Sequence, residues 1–195
     1  MQGSKIRLSP SEAALVGNAE IILTKNSIIQ KTVLLLGELQ ERVESLKAGL
    51  PPTPSPKISK GENYLGLPYV VLDYPRISGG QNLLFIRSMF WWGHFFSSTL
   101  QVAGTYKEQA KEKLLAAHPS LAAKNYFVGI HTDPWQHHFD PENYRAIDSI
   151  SKEDFREILA QQFHIKIAAR WSLSEWDAAA NYLESSWLYL AGLVA

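Results

Sequence analysis

The residues with the most chemistry per unit length lie in one short stretch, His131-Thr-Asp-Pro-Trp-Gln-His-His-Phe-Asp140. Imidazole and carboxylate are the natural ligands of zinc, iron or nickel, so His131, Asp133 and His137 form a candidate metal set. Such a site would suit a metal-dependent hydrolase or oxygenase. The spacing, however, follows neither His-Glu-x-x-His nor a facial-triad pattern. In the competing reading, Asp133-Pro134 and Asp140-Pro141 are turns and the histidines are hydrogen-bonded loop residues. Trp135 stands apart from its polar surroundings, because a tryptophan there needs burial and would serve to cover a pocket.

A second candidate is Arg87, which sits between Phe85 and Met89 on one face of an apolar strand. A guanidinium among such neighbours must be paired or must hold an anion. Asp73 and Glu62 are possible partners; a ligand carboxylate or phosphate is another. The simpler alternative is an ion pair bridging two strands. His94 lies in the aromatic run Met89-Phe-Trp-Trp-Gly-His-Phe-Phe96 and would join the histidine loop if the strand before that loop lay beside the third strand. Tyr64 and Tyr69 carry polar tips on large apolar bodies, as a pocket rim requires; ordinary tyrosines at a core edge look the same. Ser78-Gly79-Gly80 resembles a phosphate loop only in its glycines, since no helix follows it. The chain has no Gly-x-Ser-x-Gly elbow, Walker lysine or dinucleotide fingerprint, so no catalytic nucleophile or cofactor is evident.

These residues must be positioned by the elements around them. Ser9-Pro10-Ser11-Glu12 outlines a capping box at the start of a long helical arm. Its apolar positions include Leu15, Ile22, Ile29, Leu36 and Val43, and Asn26-Ser27 is a possible break. The arm either covers a sheet or pairs with a second copy. It ends at Gly49, and the proline-rich segment 50–60 then acts as a semi-rigid connector. From residue 61 to 195 the pattern is that of one α+β domain, forming a compact unit with the arm.

Five strands are expected in that domain. Pro68–Pro75 is the first, followed by a Gly79-Gly80 turn and a strand over Leu83–Trp91 that is apolar on both faces and therefore covered on both. Gly93 turns the chain into a third strand over His94–Val102. Tyr126–Ile130 and His164–Trp171 complete the set. Helices start at capping boxes Thr105–Glu108, Ser151–Asp154 and Ser174–Asp177, and His118-Pro119 stops the first of these three. Consecutive hairpin strands followed by mixed elements predict a mainly antiparallel sheet packed by helices.

Composition narrows the function classes. Lys plus Arg equals Asp plus Glu, 19 against 19, so the chain lacks the electrostatic footprint of a general nucleic-acid binder. Cysteine is absent, which excludes disulfides and a thiol nucleophile and fits a cytoplasmic setting. The apolar run 83–104 has the length of a membrane span, but Arg87, His94, Gln101 and Ser97-Ser98-Thr99 argue against insertion. The N-terminal residues have no apolar signal-peptide core.

Three motifs taken in order, Gly61-Glu-Asn-Tyr-Leu-Gly-Leu-Pro68, Met89–Phe96 and His131-Thr-Asp-Pro134, make the chain resemble small bacterial proteins grouped as domains of unknown function. The likeness is one of feature order over residues 60–190. It implies a soluble bacterial single-domain protein and transfers no activity. The residues themselves favour a small-ligand-binding domain, catalytic or not, with Tyr64, Arg87, His94, His131, Asp133, Trp135 and His137 around a pocket for an anionic or aromatic ligand. The alternatives are an interaction protein that self-associates through its arm, as a homodimer, and the metal-dependent enzyme.

Overall fold

The computed structural model describes residues 5–46 and 49–195. The first four residues and the segment 47–48, which belong to the predicted arm, lie outside the described residues. The protein is α+β, with seven strands among the described residues, in one sheet ordered β1-β2-β3-β4-β7-β5-β6 and antiparallel at every pairing. No described helix is long and apolar enough to cross a membrane.

Among the described residues the arm is two helices. Ser9 caps α1 (Pro10–Val16) through the expected box, its Oγ accepting from the Glu12 amide while its own amide donates to the Glu12 carboxylate at 2.7 Å. The break comes at Gly17-Asn18, and α2 (Ala19–Ser45) runs straight through Asn26-Ser27. Asn18 accepts from the Glu20 amide at 3.0 Å and restarts the helix. A glycine followed by a good N-cap outweighs the weak helix propensity of one exposed asparagine and one serine.

Seven strands replace the expected five because both sheet edges were illegible. The first edge, β1 (Lys57–Tyr64), reads Lys-Ile-Ser-Lys-Gly-Glu-Asn-Tyr, a polar sequence with poor strand propensity. Its pairing with β2 (Leu67–Gly79) is enforced by the Leu65-Gly66 turn, where both residues have positive φ and the Gly66 amide donates to Asn63. The proline connector is correspondingly shorter, and only 50–56 lacks secondary structure before β1 begins. The far edge, β6 (Tyr144–Ala146), is three residues long and pairs with β5 (Phe127–Gly129). The centre follows the sequence: β3 (Asn82–Trp91), β4 (Phe95–Ala103) and β7 (His164–Ser172).

Two expected helix starts move. The box at Thr105 does not form. Gly104 caps α3 (Thr105–Ala116) instead, and both the amide and hydroxyl of Thr105 donate to Asn82 Oδ1 in the β2–β3 hairpin. His118-Pro119 ends α3 but also opens α4 (His118–Ala123), since proline suits the first turn of a helix. Ser151 and Asp154 box α5 (Lys152–Gln161) as predicted. Ser172 rather than Ser174 caps a 3-10 turn over Leu173–Ala178, which leads into α6 (Ala179–Gly192). Gly104 tests how tightly α3 is seated. It has φ of 60°, and a Cβ there would lie 2.2 Å from Asn82 Oδ1. Gly104→Ala should therefore lower stability by roughly 1–3 kcal/mol, read as a shift in the urea midpoint.

Side-chain alternation gives the sheet two different faces. One presents Val70, Leu72, Leu84, Ile86, Phe90, Phe96, Leu100, Ile165 and Ile167 to the helices, where Leu36, Leu114, Phe155, Leu183 and Trp187 complete the main core. The other face carries Asp73, Arg87, Ser97, Thr99, Gln101, His164 and Lys166 on the central strands. Except for the half-buried Arg87, all of these are buried. What buries them is the irregular segment 130–143, laid across the sheet together with Tyr64 of β1.

Candidate functional site

The segment 130–143 is held down mainly by side chains that grip its backbone. Gln101 Nε2 donates to the Pro134 carbonyl and Lys166 Nζ to the Gln136 carbonyl. The Tyr64 hydroxyl accepts from the amides of His137 at 2.6 Å and His138 at 3.1 Å. Asn143 Nδ2 reaches the His138 carbonyl and Gln162 Nε2 the Ile130 carbonyl. Within the loop, Asp133 accepts from the Trp135 amide at 2.9 Å and from Gln136 Nε2 at 3.0 Å, and these bonds hold its carboxyl below its ordinary pKa. A loop lying on a sheet face needs such partners, because its backbone groups have no ladder to join.

Under this strap Arg87 lies in the cross-strand row Asp73–Arg87–Thr99–Ala168. Its Nε and Nη2 donate to the two Asp73 oxygens at 2.7 and 2.8 Å, a bidentate fork. Nη1 lies 2.9 Å from His137 Nε2. Asp73 is thus the partner, whereas Glu62, the other candidate, pairs with Lys25. The guanidinium carbon lies 5.4 Å from the Trp135 ring centroid, and Trp135 meets Phe85 edge-on at 5.9 Å.

His137 is buried, and its pKa is pushed well below 6.5, first by loss of solvent and then by the positive charges of Arg87 and Lys166. It is therefore neutral near pH 7, and the bond to Arg87 Nη1 requires its Nε2 to accept. A cavity of about 230 Å³ opens between these groups, lined by Tyr64, Tyr69, Val71, Arg87, Met89, Trp135 and His137.

Four of the seven residues expected at a pocket, Tyr64, Arg87, Trp135 and His137, thus line one cavity, and Tyr69 lines it with them. The other three are elsewhere. His94 stacks on Trp91 at 3.5 Å between ring centroids and faces a separate groove of about 400 Å³ with His138, Asp140 and Arg170. Trp91 and Tyr64, in contact at 5.0 Å, stand between the two hollows. His131 accepts the Asp133 amide at 2.9 Å, and neither residue lines the cavity.

The proposed ligand set His131, Asp133 and His137 is not gathered around a point. Among the described residues, the histidine–carboxylate group whose ligand atoms lie within 4.8 Å of one another is His138, Asp140 and Glu142. His137 faces Arg87, whereas His138, its side chain only 13% exposed, turns Nδ1 to Asp140 at 3.1 Å.

Sequence reasoning did not single out Lys166, His164 and Gln101, which form the polar floor beneath the loop. Their alternation with Ile165, Ile167 and Leu100 reads as a solvent face, and only the strap makes it an interior. Lys166 is 1% exposed and lies 4.8 Å from the Tyr144 ring centroid; burial brings its pKa down to about 7. Burial likewise brings His164 down to about 4. No family model matches the chain, and comparisons with curated proteins and with solved structures find no match.

Proposed function

We propose that the cavity beneath Trp135 binds a small planar anion, an aryl or unsaturated carboxylate being the best fit, and that the protein works as a ligand-binding domain. The observation that carries this reading is the state of Arg87. Of its five N–H groups, Nε–H and one on Nη2 meet Asp73 and one on Nη1 meets His137. That leaves one N–H on each terminal nitrogen of a residue that lines the cavity, two donors for the two oxygens of a carboxylate.

Two further features favour an anion with a flat apolar body. After desolvation, the influences on the His137 ring come from Arg87, Lys166 and His138, whose positive charges disfavour a proton there and leave its neutral ring beside the Arg87 guanidinium. The remaining walls are the faces and edges of Tyr64, Tyr69, Trp135, Val71 and Met89. At about 230 Å³ the cavity is smaller than the range typical of drug-sized ligands, which suits a single ring. Binding rather than catalysis is favoured because His137 is neutral with its Nε2 engaged, and Lys166 does not line the cavity.

Titration with benzoate, followed by tryptophan fluorescence and amide chemical shifts, tests the reading. Saturable binding is expected in the wild-type protein, with shifts centred on Tyr64, Arg87 and His137. Trp135 is 45% exposed, so Trp135→Ala should leave the melting temperature nearly unchanged while weakening benzoate by about tenfold, one wall of a stacked site. If a series of single-ring carboxylates produces no saturable change, the proposal is wrong.

A further inference from the structure

The N-terminal arm carries apolar surface that the other described residues do not cover. In α2 the positions Ile29, Leu36 and Val43 are buried against the sheet and α6, but Ile22, one seven-residue step earlier on the same face, is 56% exposed. The helix overshoots the body there. Beyond it α1 has no buried residue at all, although it carries Leu15 and Val16. Alongside the overshoot runs a groove of about 380 Å³ lined by Ile21, Thr24, Lys25, Ile28 and Trp92, with Asn18 and Glu20 at its end.

We infer that this arm is a homodimerisation device, in which α1 of one copy lies in the Ile21–Ile28–Trp92 groove of a second copy, and the reverse. Three observations select a second copy as the occupant. First, one arm holds both halves of the contact, a protruding apolar helix and an apolar groove, which is the self-complementarity that a two-fold interface needs. Second, the area is sufficient. Leu8, Leu15, Val16, Ile21, Ile22 and Leu23 are each between 43% and 75% exposed. Together they offer on the order of 600 Å² per copy, matching the lower edge of stable interfaces at about 1,200 Å² in total.

Third, the apolar surface wraps the helix. Ile21, Ile22 and Leu23 are consecutive, and at about 100° per residue they span some 200° of its circumference. A flat bilayer would reach only part of that arc. Helices of a second copy, lying against the arm on more than one side, reach all of it.

Light scattering on the full chain, at micromolar concentration, should give a mass of twice 21.9 kDa. Ile22→Asp and Val16→Asp alter side chains that are exposed within one copy, so each should give a 21.9 kDa species with an unchanged circular dichroism spectrum. The pairing itself is tested by cross-linking, since the chain has no cysteine. Leu15→Cys protein mixed with Thr24→Cys protein should oxidise to a covalent dimer faster than either variant alone. A monomeric wild-type protein, a dimer that survives both aspartate variants, or a monomer that instead binds anionic vesicles through the arm would each overturn the inference.

Discussion

Replacing Asp73 by alanine is expected to destabilise the protein by about 3–5 kcal/mol, the usual cost of leaving one partner of a buried ion pair uncompensated. The Arg87 and Asp73 side chains are only 14% and 10% exposed, and their bidentate fork spans β2 and β3 in the middle of the sheet. With Asp73 gone, the contacts left to the guanidinium, His137 at 2.9 Å and the Trp135 ring at 5.4 Å, are both neutral. The double variant Asp73→Ala/Arg87→Met removes both charges and should recover most of the loss. Urea unfolding of the wild type, Asp73→Ala, Arg87→Met and the double variant gives the coupling between the two sites. If Asp73→Ala costs less than about 1 kcal/mol, the cavity solvates Arg87 and the charge is not truly buried.

The second large effect concerns pH. Lys166 has a folded pKa of about 7 against 10.5 for a free lysine, because burial disfavours its charged form. Between pH 7 and 10.5 the unfolded chain therefore binds more protons than the folded one, and stability rises with pH across that window. Below pH 7 both states are protonated and the full cost of the buried charge, a few kcal/mol, is present. His164, at about 4 against 6.5, and His137, also depressed, extend the same trend, so stability falls again between pH 6.5 and 4.

Lys166→Met should abolish the upper part of this slope. The variant loses the donor to the Gln136 carbonyl, a cost of about 1–3 kcal/mol that does not depend on pH. It should therefore gain most on the wild type near pH 6 and be overtaken by it near pH 10. Urea midpoints measured from pH 5 to 10 would show the two curves crossing. Parallel curves would mean that Lys166 is solvated in the folded protein.

How much of this was legible in the sequence depended on how local each signal was. The Ser9 and Ser151 boxes, the apolar strands β3 and β4 and the Gly93 turn were readable because each rests on residues a few positions apart. The Thr105 box failed because Asn82, 23 residues away, offers the same amide and hydroxyl a better-placed acceptor. The edge strands β1 and β6 were invisible because a strand paired on one side needs little apolar character of its own. At the candidate site, Arg87 announced itself by being a cation among apolar neighbours, and Asp73 was one of two partners open to it. His137 could not be told from His131 or His138, since which histidine points inward depends on how the loop crosses the sheet.

By itself, then, the chain determined an antiparallel α+β core, a helical arm, and an arginine that had to be satisfied. Those properties follow from periodicity, capping and the cost of burying a charge, all of which act over short stretches of chain. The tertiary structure decided that the polar side of β4 and β7 is an interior, that Tyr64, Trp135 and His137 meet over Arg87, and that the arm extends past its own core. Each of these depends on contacts between segments tens of residues apart, and no local pattern encodes which surface another segment will cover.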